Sequence, residues 1–243
     1  MRVARFFVDE PLEVNTEVAL PERIAHHAAR VLRLRDGDSI VLFNGTGGEF
    51  GARLSVSESH TRALVDTFSA IEREATLRIT LVQSWVAADK LDWIIEKAVE
   101  LGVHSIVMAP AQRSVVRIGG DRLHKKVGRL RELVIAACAQ CGRNRIPNIE
   151  ASPTLAASLQ TALARDMHGM LLHPGAELTL VKAPLRGGVA IAVGPEGGFD
   201  AEELALAGRL HYAAYCIGPR VLRTETAGLA ALAALQAVAG DFC

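Results

Sequence analysis

The feature that most constrains this fold is an alternation of periods along the chain. From residue 77 onward, short apolar runs alternate with longer stretches of helical spacing. The runs 77–82, 105–108, 170–172, 189–193 and 213–217 have the length and composition of strands. Between and after them, 88–101, 122–140, 154–164 and 224–239 are expected to be helices. The first places Leu91, Ile94, Ile95 and Ala98 on one face and ends against Gly102. A further helix is expected to open at Asp200, with Glu203 three residues on as the partner of a capping box. Strands that alternate with helices cannot pair as hairpins. They imply an α/β domain built on a largely parallel sheet.

The first 70 residues lack that rhythm. A strand-like run at 39–43 leads into Asn44-Gly45 and Gly47-Gly48, which supply turn chemistry, and 53–56 and 62–66 alternate in the strand manner. One short helix is expected over 21–34, carrying His26, His27, Arg30, Arg33 and Arg35, with a turn at Asp36-Gly37-Asp38. Composition changes near Ile71–Ala75. The expected division is therefore a β-rich domain at 1–72 and an α/β domain at 73–243.

Half of the 243 residues are hydrophobic, enough for a sizeable core. No uninterrupted apolar stretch reaches the roughly 18 residues of a membrane span. Residues 1–10 do not have the pattern of a signal peptide, so a cytoplasmic protein is expected. Cys138 and Cys141 form a C-x-x-C, but no second ligand pair stands near it and the segment reads as helix, so reduced thiols and no metal are expected. Lys+Arg and Asp+Glu balance at 27 each, which excludes a strongly basic chain. Their distribution is uneven, however. Residues 111–145 hold nine basic residues (Arg113, Arg117, Arg122, Lys125, Lys126, Arg129, Arg131, Arg143 and Arg145) against Asp121 and Glu132. Such a local patch can meet phosphate, and it can equally be a solvated helix face.

Several chemistries are excluded by missing motifs. The chain has no P-loop, no G-x-S-x-G elbow and no H-E-x-x-H. Gly45-Thr46-Gly47 begins like a dinucleotide fingerprint but has Phe50 where the third Gly belongs, and it precedes strands rather than a helix. Four segments remain. Gly194-Pro195-Glu196-Gly197-Gly198 joins an apolar strand to the helix at Asp200, where open α/β sheets bind ligands. The same glycines would also serve a bare turn. Ile217 to Ala227, with Gly218, Leu222, Arg223, Glu225 and Thr226, gathers two Arg, two Thr and a Glu at a helix start. Cys141 to Pro147 presents Arg143, Asn144 and Arg145 beyond a helix end. The fourth, Lys90 to Gly102, is an amphipathic helix whose charges alone would be ordinary surface pairs.

These segments, with Gln112-Arg113-Ser-Val-Val between them, resemble the RsmE family, 16S rRNA (uracil-N3)-methyltransferases of the SPOUT class. His26 to Asp38 and Leu42 to Phe50 fit as well, so the similarity runs over essentially the whole chain. One departure is Ala139, where the family usually has Glu.

The resemblance implies a PUA-like β-barrel domain for 1–72 and a SPOUT methyltransferase domain with a C-terminal trefoil knot for 73–243. It further implies a homodimer, S-adenosyl-L-methionine as cofactor, and 16S rRNA of the small ribosomal subunit as partner. The cofactor site would comprise Leu172, His173, Gly194, Pro195, Glu196, Gly197, Gly198, Ile217, Gly218, Leu222 and Thr226. Arg5, Arg30, Arg33, Arg35, Arg113, Arg143 and Arg145 would contact RNA. Deprotonating N3 of uracil spreads charge onto O2 and O4, which a fixed cation would stabilise. Arg223 is the candidate for that role, and Glu196 and Glu225 are the candidate proton acceptors. A different SPOUT specificity (ribose 2′-O or another base), a non-catalytic RNA-binding assembly protein, and a nucleotide-binding protein unrelated to RNA stay open at this level.

Overall fold

The structure is a computed structural model that describes residues 3–57, 60–116, 118–164, 166–180, 185 and 187–242. Arg117, one of the nine basic residues above, lies outside the described residues. The chain divides into two compact units, Met1–Arg73 with Cys138–Ile146, and Glu74–Ala137 with Pro147–Cys243.

The first unit is a five-stranded sheet in the order β1-β3-β4-β5-β2. Its strands are β1 (Ala4–Phe7), β2 (Glu17–Ala19), β3 (Ser39–Phe43), β4 (Glu49–Val56) and β5 (Thr61–Ser69). β1 pairs parallel with β3 and the other neighbours pair antiparallel. Period-2 alternation decides which face is covered. Phe50, Ala52 and Leu54 of β4 and Ala63 and Val65 of β5 are buried, while Arg53 and Arg62 face out. The helix expected over 21–34 is two short pieces, α1 (Glu22–His26) and a π-helical turn His27–Val31. It ends at Arg33, whose backbone has φ 55°, so no regular helix continues through it.

The segment Cys138–Ile146 completes this unit through polar contacts. Asn144, fully buried, accepts from Arg5 Nη2 at 2.6 Å and donates to the Ile71 carbonyl at 2.7 Å. Gly45 and Thr46 bridge to Arg145.

The second unit is a seven-stranded sheet, β10-β12-β9-β11-β6-β7-β8, parallel at every pairing. Its strands are β6 (Ile79–Ser84), β7 (Ser105–Ala109), β8 (Asn148–Ala151), β9 (His168–Leu172), β10 (Leu178–Thr179), β11 (Val189–Val193) and β12 (Tyr212–Cys216). Every residue of β6 and β11 is buried, as a parallel strand covered on both faces requires. Its helices are α2 (Ala88–Glu100), α4 (Leu155–Ala162), α5 (Ala201–Arg209) and α6 (Thr224–Ala239), with α3 (Asp121–Cys141) as far as Ala137. α2 and α6 pack on each other, with α6 against β6 and β11. α4 and α5 also pack together, and they close a core that includes Val82, Leu159, Ala190, Ala192 and Phe199.

The expected capping box is present. Asp200 Oδ1 accepts from the Glu203 amide and Glu203 Oε2 from the Asp200 amide, both at 2.9 Å. The parallel α/β expectation holds, and so do the bounds of β3, β11 and α6. β1, β2, β8 and β10 were not expected.

Candidate active site

Three neighbouring parallel strands, β9, β11 and β12, end on the same edge, and their following loops enclose a cavity of about 510 Å³. That volume suits a small organic ligand or cofactor. Its wall comes from Leu172–Pro174 after β9, Val193–Phe199 after β11, Tyr215–Ile217 at the end of β12, and Arg220–Glu225 leading into α6. Ligand sites at the carboxyl ends of parallel strands follow from the topology, because the loops and helix starts gather there.

A buried chain of hydrogen bonds holds two of these loops together. Thr224, the first residue of α6, donates from Oγ1 to the Gly194 carbonyl at 2.6 Å. The same oxygen accepts from Nε2 of Gln83, a fully buried residue of β6, at 3.3 Å. The start of α6 is thereby tied to the glycine loop through the centre of the sheet. Close packing adds to this, since a Cβ on Gly228 would meet Val193 Cγ2 at 3.3 Å.

The glycine loop shows why these residues are small. Gly198 has φ 66° and open space where a Cβ would point. Gly194 lies against its own loop, where a Cβ would meet the Phe199 amide nitrogen at 3.1 Å. Arg113 presses on Gly197, to whose carbonyl its Nη1 donates at 2.9 Å.

The charged groups are asymmetric. Lys90 of α2 donates from Nζ to Glu196 Oε1 at 2.9 Å and lies 3.7 Å from Glu225 Oε2. Burial works to raise the Glu196 carboxyl, but the hydrogen bond from Lys90, one from its own amide and the nearby ammonium charge hold it below the usual carboxylate range. The Arg223 side chain is 84% exposed, and its ion pair with Glu225 Oε1 is long, at 4.0 Å. Tyr215 of the wall has its hydroxyl 2.8 Å from Nε2 of His168, which does not itself line the cavity, and burial pushes His168 down and Tyr215 up.

The structure thus brings into one wall the expected residues Leu172, His173, Gly194, Pro195, Glu196, Gly197, Gly198, Ile217, Leu222, Arg223 and Glu225. Gly218 and Thr226 do not line it. Arg113, expected at RNA, stands in this wall. Sequence reasoning gave no role to Lys90, Tyr215 or Arg220. Lys90 had a signal as the first residue of the amphipathic segment, and Arg220 as one of the two Arg in 217–227.

The arginines expected to contact RNA divide sharply. Arg30, Arg33 and Arg35 are exposed, and their side chains make no hydrogen bond or ion pair among the described residues. Arg143 is buried at 4% exposure. Arg5 is enclosed between Glu49 at 2.6 Å and Asn144. Arg145 pairs with Glu72 at 3.0 Å.

Residues 73–236 match the family of RNA methyltransferase domains, and residues 20–66 match RNA methyltransferase PUA domains. A Mycobacterium bovis protein named ribosomal RNA small subunit methyltransferase E is 30% identical, the match covering 95% of this chain and 90% of the relative. A crystal structure of the Neisseria gonorrhoeae protein of that name, bound to S-adenosyl methionine, superposes with a TM-score of 0.90 at 35% identity, covering both chains completely. The chain belongs to the RsmE family of RNA methyltransferases. Another full-length neighbour is a Legionella pneumophila methyltransferase solved with bound SAM, at TM-score 0.92 and 32% identity. Membership of the RsmE family identifies the first unit's sheet as the PUA domain and the parallel sheet as the methyltransferase domain.

Proposed function

We propose that this RsmE-family enzyme transfers a methyl group from S-adenosyl-L-methionine to N3 of a uridine in 16S rRNA of the small ribosomal subunit. The observation that carries the reading is the cavity itself. It is bounded by the loops after β9, β11 and β12, in a chain whose full-length relatives include proteins named for small-subunit rRNA methylation and two methyltransferases solved with SAM, one of them of that name.

The residues present fit that cofactor. Gly198 offers backbone with positive φ and open space where a Cβ would stand, so a ligand can lie directly on it. Leu172, Val193 and Ile217 supply apolar wall, and Glu196 a carboxylate for the cofactor's positive charge. These residues, with His173, Pro195, Gly197 and Leu222, are proposed to hold the cofactor, and Gly218 and Thr226 to shape its loops from outside the wall. The bound cofactor supplies an electrophilic methyl carbon.

What the chain contributes is alignment and charge. Holding N3 in line with that carbon is worth most. Arg223, exposed at the mouth, is proposed to stabilise the charge that develops on the uracil oxygens. A paired uridine hides N3, so the target is taken unpaired or flipped out. The domain at 1–72 is proposed to hold RNA through Arg30, Arg33 and Arg35. Arg113, Arg143, Arg145 and Arg5 are proposed to act indirectly, by supporting the surfaces on which RNA lies. The reading includes a homodimer, a knotted C-terminal path within 73–243 and a cytoplasmic location. No helix among the described residues is long and apolar enough to cross a membrane.

The reading is tested by incubating the purified protein with methyl-labelled SAM and small ribosomal subunits from cells lacking the protein. Label in 16S rRNA is expected, and label absent from all rRNA would overturn it.

A further inference from the structure

The cavity holds two carboxylates of similar position and unequal surroundings. Lys90 gives its hydrogen bond to Glu196 and none to Glu225. Glu225 Oε2 is closed off from solvent and has no hydrogen-bond partner, although the ammonium stands 3.7 Å away. Its side chain is the less exposed of the two, 18% against 35%. A buried carboxylate oxygen left without a donor is costly, and a proton arriving on that carboxyl removes the cost. Glu196 is in the opposite position, because its charged form is the one that Lys90 stabilises.

We propose that Lys90 is a positioning residue that sorts the two carboxylates: it fixes Glu196 as a permanent anion and leaves Glu225 as the acceptor of the proton from the target nitrogen. The inference rests on the function proposed above. In the step it describes, the N3–H bond breaks and its proton passes to Oε1 of Glu225, the oxygen of the carboxylate that is not closed off. The electron pair left on N3 forms the new bond to the methyl carbon, while the pair of the broken carbon–sulfur bond stays on sulfur. Afterwards Glu225 returns its proton to solvent. The charged groups around Glu225 are Lys90 from α2, Glu196 from the glycine loop and Arg223 from its own segment, with Asp89 acting on Glu196.

The test combines a titration of the free protein with single-turnover methylation. Glutamate carboxyl carbons, labelled with 13C and assigned by Glu196→Gln and Glu225→Gln, are expected to show Glu196 titrating below the usual carboxylate range. In Lys90→Gln the Glu196 midpoint is expected to rise, because the hydrogen bond and the charge that hold it down are gone. Lys90→Arg should bring it back. The single-turnover rate of wild type should fall along an acid limb, since protonated Glu225 accepts nothing. Glu225→Gln should cost about 100-fold or more and abolish the limb, while Glu196→Gln keeps it. A Glu196 midpoint unmoved in Lys90→Gln overturns the sorting role. An active Glu225→Gln with its acid limb intact overturns the acceptor role alone. A wild-type protein that methylates no RNA overturns the proposed function and the acceptor with it, but the Glu196 midpoint can still be read.

Discussion

Arg223 and Glu49 show how differently two charged residues can be held. Arg223 is 84% exposed and makes only a 4.0 Å charge contact. Bracing the helix would require buried partners, so a role toward substrate suits it better. Arg223→Ala is expected to lower the single-turnover rate about 100- to 1000-fold, the usual loss for one transition-state donor. Cofactor affinity by calorimetry and melting temperature should stay near wild type, and Lys should rescue only in part because it lacks the planar fork. A normal rate in a stable protein would remove Arg223 from the mechanism. Glu49 is fixed from both sides. The hydrogen bond from Arg73 pulls hardest, burial opposes it, Arg5 adds its own hydrogen bond, and the carboxyl is held down at about 2. A carboxyl that is more acidic folded than unfolded stabilises the fold above the unfolded value, 4.5 here, and loses that contribution as pH falls from there toward 2. Glu49→Gln is expected to cost roughly 2–4 kcal/mol at neutral pH, by leaving two arginines without their anion. The difference from wild type should shrink below about pH 4 in denaturant titrations, and a gap constant down to pH 2 would contradict this.

At the scale of elements, what could be read from sequence was what local chemistry specifies. The capping box at Asp200, the wholly apolar β11 and the polar start of α6 are local signals, and each lies where expected. The elements missed are short or depend on partners. β2 and β10 have three and two residues, and β1 exists because β3 lies beside it. Of the site, the glycine loop and α6 start were legible because both sit at strand-to-helix junctions. Lys90 was not, because nothing in its own helix says which loop it will meet. The Gln83–Thr224–Gly194 chain was also hidden, since its members are far apart in sequence. Thr224→Val keeps the shape but removes both bonds. It is expected to cost about 1–3 kcal/mol, because the Gly194 carbonyl loses its donor and the Gln83 amide nitrogen keeps only its bond to the Ser84 carbonyl, and to weaken S-adenosylmethionine binding in calorimetry. Unchanged affinity would show that the glycine loop holds itself. Gly198→Val places a branched side chain at φ 66° and into the cavity, and it should abolish cofactor binding in a protein that still folds.

For the whole molecule, the arginine counts of the sequence were a poor guide until the fold separated them. Cys138–Ile146 belongs with the first unit, across more than 60 residues of chain, so Arg143 is buried where a helix-end reading had it exposed. The triad Arg30, Arg33 and Arg35 is left as an exposed basic cluster of that unit with no ion pair among the described residues. Replacing all three with Ala should reduce the slope of log affinity for small-subunit rRNA against log salt by up to about three, one per lost phosphate contact. An unchanged slope would make them ordinary surface charges. The central claim concerns which atom is methylated, and mass spectrometry of nucleosides tests it directly. Small-subunit rRNA from cells lacking the protein is treated with the purified protein and SAM, digested to nucleosides and compared with untreated rRNA. One new N3-methyluridine per 16S molecule is expected. A 2′-O-methylated nucleoside, another methylated base or an unchanged digest would contradict the account.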